Sequence, residues 1–126
     1  MRMEHAAVYV RDLEGARAFF EAYFAGRAGA RYHNPRTGFS SYFLSFEGGA
    51  RLELMTRPGL GAAGEGPSVG YAHLAFSLGG RQAVDELTGR LAAAGWRTVS
   101  GPRVTGDGYY ESCVAGPEGI LVELTA

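Results

Sequence analysis

The chain repeats itself, and that repeat is the strongest constraint on its fold. Shifting the first half by 68 positions lays His5 on His73. Shifting it by 70 lays Glu53 on Glu123 and Gly49 on Gly119, and the slip of two falls in intervening loops. Each His opens an apolar strand-like run (EHAAVYV, AHLAFSL), and each Glu sits inside another (RLELM, LVELT). An internal repeat dictates architecture, because each copy is one supersecondary unit needing cover from a neighbour.

Hydrophobic periodicity gives both copies the same order of elements. In the first, residues 3–10 alternate as a strand and Asp12 is placed to cap a helix. Leu13, Ala16, Phe20 and Phe24 recur at helical spacing to about residue 25, and Gly26 and Gly29 let the helix stop. A short strand around 30–33 and a turn at Asn34-Pro35 and Gly38 follow. Runs 39–47 and 50–56 read as two strands joined at Gly48-Gly49, a hairpin signal. The second copy reads as strand 71–78, helix 81–94 ended by Gly95, strand 97–100, strand 108–115 and strand 120–125, with GPEG at 116–119 as the last turn. Both halves therefore predict βαβββ. The fold class is α+β: two tandem βαβββ modules, about 1–56 and 70–126, in one domain, forming a cupped, open mixed sheet with helices on its outer face. Residues 57–69 (RPGLGAAGEGPSV) have no apolar period and read as a linker or loop.

Strand parity concentrates the chemistry. Ala6, Val8 and Val10, Leu52 and Leu54, Leu74 and Phe76, and Val122 and Leu124 would cover the helices. The opposite face carries His5, Ala7 and Tyr9, then Arg51, Glu53 and Met55, then His73, and then Glu123. Two imidazoles and two carboxylates on one polar face suit a first-row divalent ion: Ni, Zn, Co or Mn, one per site. The competing reading is a polar cup without metal. His33 has no symmetry mate, since Arg103 corresponds to it, and reads as a turn residue. Glu111 and Phe43 are candidate substrate contacts if they face the cup, as is Tyr109 in the Gly- and Tyr-rich segment 101–112. Cys113 reads as packing rather than as a nucleophile.

Composition excludes several function classes. A net charge of −1 leaves no footprint for nucleic acid or an anionic membrane surface. All 12 basic residues are Arg, and the single Cys makes no internal disulfide. No apolar run approaches a membrane span and the N-terminus lacks a signal-peptide pattern, so a cytoplasmic protein is expected.

The runs EHAAVYVRDLEGARAFFEAYF, RLELM, GYAHLAFSL and SCVAGPEGILVEL resemble the vicinal oxygen chelate superfamily over the whole chain. That superfamily includes glyoxalase I, extradiol dioxygenases, fosfomycin-resistance thiol transferases, methylmalonyl-CoA epimerase and bleomycin-binding proteins. In the terminal hairpin, Gly116 and Ile120 stand where the family usually has Asp and Asn. A His, Glu, His, Glu set is similar to that of glyoxalase I. The resemblance implies a metal-dependent lyase or isomerase acting on adjacent oxygens, such as the hemithioacetal of a 2-oxoaldehyde and a thiol. His5, Glu53, His73 and Glu123 would hold the metal, and Glu53 or Glu123 would carry the proton. Where glutathione-dependent glyoxalase I usually has an Arg and an Asn for its thiol substrate, this chain has Tyr9 and Arg57, so glutathione specificity does not carry over. The resemblance also implies a homodimer with metal sites shared between chains. Two alternatives stand beside it. One is a drug- or small-molecule-binding protein without catalysis, walled by Tyr9, Tyr109, Tyr110 and the Phe cluster. The other is a metal-dependent dioxygenase, against which four protein ligands argue because oxygen and substrate need open positions.

Overall fold

The computed structural model describes residues 1–61 and 70–126. The chain divides into two compact units, Met1–Ala63 and Gly64–Ala126. Most of the expected linker therefore lies outside the described residues.

In the first unit, β1 (His5–Tyr9) leads through Asp12 into α1 (Leu13–Phe24). The Asp12 carboxylate accepts from the Gly15 amide at 2.8 Å, satisfying one of the helix's orphan donors. Leu13, Ala16, Phe19, Phe20 and Phe24 are buried along one stripe of α1. The helix ends with Ala25 in the left-handed region (φ 52), and the Gly26 amide bonds back to the Phe20 carbonyl at 3.1 Å. The residue that turns left-handed is thus Ala25 rather than a glycine. Gly26 is needed for space instead: a Cβ there would sit 3.2 Å from Leu44 and Phe46 side-chain carbons.

The strand expected around 30–33 is two short ones, β2 (Arg27–Ala28) and β3 (Tyr32–Asn34), both antiparallel to β4 (Phe39–Ser45). A hairpin through Gly48 and Gly49, both at φ 81, joins β4 to β5 (Arg51–Thr56). The sheet order is β1-β5-β4-β2, with β3 also on β4 and β1 parallel to β5. α1 packs on β2, β4 and β5. Leu44 and Leu54 are fully buried beneath it. Each such side chain contributes about 1.5–3 kcal/mol relative to exposure.

The second unit repeats the plan with β6 (Leu74–Ser77), α2 (Arg81–Ala93), β7 (Arg97–Val104), β8 (Tyr110–Ala115), a single 3₁₀ turn (Pro117–Gly119) and β9 (Leu121–Thr125). Its order is β6-β9-β8-β7, with β6 parallel to β9. Gly95 takes the left-handed cap of α2 (φ 91), and Trp96 donates back to the Leu91 carbonyl at 3.0 Å. Val84, Leu87 and Leu91 of α2 meet Val114, Val122 and Leu124 in the core. One buried polar pair sits among them: the Thr88 and Ser112 hydroxyls lie 2.6 Å apart, and Thr88 donates to the Val84 carbonyl.

β7 runs well past the expected 97–100. It reaches Val104 by absorbing two register shifts against β8, at Thr98/Ser100 and Ser100/Arg103. It thereby spans in one strand what β2 and β3 share in the first unit. Among the described residues there are nine strands and two α-helices in two mixed open sheets, the α+β class expected from the repeat. No helix of the described residues is long and apolar enough to cross a membrane.

Candidate functional site

In each unit the face away from the helix carries one imidazole–carboxylate pair, and the same register produces both. Ala7 of β1 is the partner of Glu53 in β5, and His5 lies two residues before Ala7 on the same face. Ala75 of β6 is the partner of Glu123 in β9, and His73 lies two residues before Ala75. The parallel pairing of first and last strands thus sets each His on a short diagonal from its Glu. His5 Nε2 is 3.9 Å from Glu53 Oε2, and His73 Nε2 is 3.1 Å from Glu123 Oε2. The carboxylates are the more sheltered partners, at 15% and 22% side-chain exposure against 39% and 41% for the imidazoles.

This geometry fits a divalent cation. Adjacent N and O donors held about 2.1 Å from one ion stand roughly 3.0–3.4 Å apart. The His73–Glu123 pair already has that span, and the His5–Glu53 pair, at 3.9 Å, is wider than it. A mixed imidazole–carboxylate set is chemically suited to Zn, Ni, Co and Mn. The donors come two per unit. Among the described residues, no group of three or more His, Cys, Asp or Glu side chains is placed to hold an ion.

The surroundings of the two pairs differ. Phe43 is the cross-strand partner of Glu53, and its ring meets the His5 ring edge-on at 5.2 Å. The Arg51 guanidinium lies over the Phe43 ring, 4.2 Å from its centroid. Glu4 hydrogen-bonds His5 Nδ1 through one carboxylate oxygen and accepts from Arg51 Nε at 2.8 Å through the other. Those hydrogen bonds, to His5 first and then Arg51, hold the Glu4 carboxyl below the usual carboxylate range. Sequence reading overlooked the role of Glu4 and Arg51. The available signal was their register: Arg51 is the partner of His5 across β1 and β5, and Glu4 adjoins His5 in the chain.

In the second unit Cys113 occupies the place opposite Glu123, and Glu111 pairs with Thr125 one step along the same face. Burial, followed by the Glu123 and Glu111 charges, pushes the Cys113 thiol above its ordinary value. A thiol so placed stays protonated, in keeping with a packing role rather than a nucleophilic one. The Glu111 carboxylate is 3.9 Å from Arg103 Nη2.

The other candidates are dispersed. Tyr9 is half-exposed on the ligand-bearing face, as the partner of Met55. Arg57 lies one residue past β5, and Tyr109 sits in the turn before β8, where its amide donates to the Thr105 hydroxyl; both are exposed. Tyr110 faces the helix, where its hydroxyl donates to Asp85 of α2 at 2.6 Å, so it cannot wall a cup on the opposite face. Tyr42 is likewise on the helix side, donating to Glu14 of α1 at 2.9 Å. His33 belongs to strand β3 rather than to a turn, and its Nδ1 lies 2.8 Å from the Ser40 hydroxyl.

Comparison with known proteins bears out the fold. The family model described as Glyoxalase/Bleomycin resistance protein/Dioxygenase superfamily matches residues 2–124. An uncharacterised protein of Bacillus subtilis (strain 168), YqjT, is 30% identical over 131 residues, covering 98% of each chain. Among solved structures, the trypanothione-dependent glyoxalase I of Leishmania major superposes with a TM-score of 0.79 at 20% identity, over 99% of this chain and 86% of that one. A glyoxalase family protein from Enterococcus faecalis superposes with a TM-score of 0.83 at 21% identity, over 99% and 97%. At such identities the likeness is one of fold.

Proposed function

The chain belongs to the Glyoxalase/Bleomycin resistance protein/Dioxygenase superfamily, and within it we propose a divalent-metal-dependent lyase or isomerase of glyoxalase I type. One observation carries this reading: both units place an imidazole and a carboxylate on the same short diagonal, His5 with Glu53 and His73 with Glu123. Duplicated donor pairs of this kind sum to a two-imidazole, two-carboxylate set. The substrate class is a small molecule with adjacent oxygens, such as the hemithioacetal of a 2-oxoaldehyde and a thiol.

Bound there, a divalent ion would supply Lewis-acid polarisation of both oxygens and so acidify the neighbouring C–H. The chain's residues do the rest. His5 and His73 would hold the ion, each with the Nε2 that faces its partner carboxylate. Glu53 or Glu123 acts as the base, taking the proton from one carbon and returning it to the next. A carboxylate suits that task because its second oxygen is free for the proton while the group stays in place. The greater shelter of both carboxylates limits loss of that proton to water. Phe43 and Tyr9 offer an apolar wall beside the first pair, and Glu111 and Arg103 a charged one beside the second.

The test is titration of purified protein with Ni, Co, Zn and Mn, then an assay of methylglyoxal with several thiols. Binding of one ion per His2Glu2 set, with turnover for at least one metal–thiol combination, is the expected result. Protein that binds none of these ions but takes up small aromatic ligands would replace the proposal with a non-catalytic binding role.

A further inference from the structure

The two half-sites are unequal, and the inequality lies in what surrounds each histidine. Three side chains form a closed circuit with His5. Glu4 bonds its Nδ1; Arg51 bonds Glu4; Arg51 stacks on Phe43; and the Phe43 ring meets the His5 ring edge-on at 5.2 Å. The circuit is tied to the sheet as well, because the Arg51 amide donates to the Glu4 carbonyl at 2.9 Å and so extends the β1–β5 ladder one residue beyond His5. The repeat offers none of these groups to His73. Ala72, Leu121 and Cys113 stand where the first unit has Glu4, Arg51 and Phe43.

A neutral imidazole holds one ring proton, and a fixed acceptor at one nitrogen decides which nitrogen keeps its lone pair. A carboxylate at Nδ1 retains the proton there, leaving Nε2 as the free donor. Nε2 is the nitrogen turned toward Glu53. We propose that Glu4, braced by Arg51, is a positioning residue that fixes His5 as the Nδ1–H tautomer and aims Nε2 at the metal, making the first unit the preorganised half of the site. This rests on the metal-dependent reading above. Carboxylate–histidine pairs behind a metal ligand typically contribute 10–100-fold in affinity. The clamp is exposed, and surface ion pairs contribute little to folding, so its variants should fold.

The experiment compares wild type, Glu4→Ala and Arg51→Met by long-range ¹H–¹⁵N correlation of the imidazoles in metal-free protein at about pH 8.5, where the neutral form of histidine prevails. It is paired with Co(II) titration of the same samples. The expected result is His5 predominantly Nδ1–H in wild type and shifted toward Nε2–H in Glu4→Ala, with His73 unchanged as the internal reference. Co(II) affinity should fall at least about tenfold in Glu4→Ala and by less in Arg51→Met. The proposal is overturned if His5 is Nε2–H in wild type, if Glu4→Ala leaves its tautomer unchanged, or if the tautomer shifts without loss of affinity. Wild-type protein that binds no Co(II) would overturn the metal reading itself, and the tautomer comparison would still decide whether Glu4 orients the ring.

Discussion

At the scale of single residues, function and stability separate. Glu53 and Glu123 face away from the helix-covered cores, and neither lies among the buried residues. Replacing either by Gln keeps shape and removes the charge an ion needs. Glu53→Gln and Glu123→Gln should therefore abolish metal-dependent turnover while barely moving the melting temperature of metal-free protein. Loss of more than about 3 kcal/mol of apo stability, beyond the usual range for a point change, would mark them as structural groups. Gly101 is the reverse case. It sits at φ 78, and a Cβ there would lie 2.4 Å from the Glu111 carbonyl oxygen and 2.9 Å from the Ser112 Cα. Gly108, at φ 93, has open space around it. Gly108→Ala should cost about 1 kcal/mol, the ordinary penalty of a left-handed alanine, and Gly101→Ala clearly more, because backbone must also move. Equal denaturation midpoints for the two variants would refute that account.

At the scale of elements, each helix is held by its apolar stripe and by one strand tyrosine reaching its rim. Tyr42 of β4 donates to Glu14 of α1, and Tyr110 of β8 donates to Asp85 of α2. Both phenols are pushed above their ordinary value, chiefly by those hydrogen bonds to a carboxylate. A phenol raised in the folded state stabilises that state below its unfolded value, near 10, and the contribution is lost as pH rises through the folded value. Spectrophotometric titration should find these two among the last of the tyrosines to ionise, with Glu14→Gln and Asp85→Asn each bringing one back toward 10. No change on either substitution would refute the assignment. These tethers join residues distant in sequence, so no local pattern announced them. Periodicity and capping, by contrast, were legible. Asp12 caps α1 and Gly95 ends α2 as read, because such signals depend only on neighbours within a turn. The register shifts that lengthen β7 escaped, since they arise from pairing with β8. The same contrast holds at the candidate site. The period of two put His5 and Glu53 on one face, but the clamp on His5 depends on a Glu4 side chain that folds back against its neighbour.

For the whole molecule, the question is where the two donor pairs meet. Each sheet terminates, in its own strand order, at the parallel strand bearing or following its histidine: β1 in one and β6 in the other. An edge strand needs cover, and a unit of about 60 residues buries so small a share of its apolar surface that it is marginal alone. Cover can come from the other unit of the same chain or from a second chain. Two-fold pairing is the commonest assembly of soluble proteins, and the family resemblance implies a pairing in which the first half of each chain completes the second half of its partner. The protein is accordingly expected to be a homodimer at micromolar concentration, with two shared sites. Mixing inactive His5→Ala with inactive Glu123→Ala, after refolding together, tests both points. If sites are shared, a heterodimer collects both lesions in one site and leaves the other intact. Random pairing makes half the dimers heterodimers, so roughly one quarter of wild-type activity should return. If each site is built within one chain, every site carries a lesion and mixing restores nothing. Sedimentation as a monomer would remove the shared site and the dimer together.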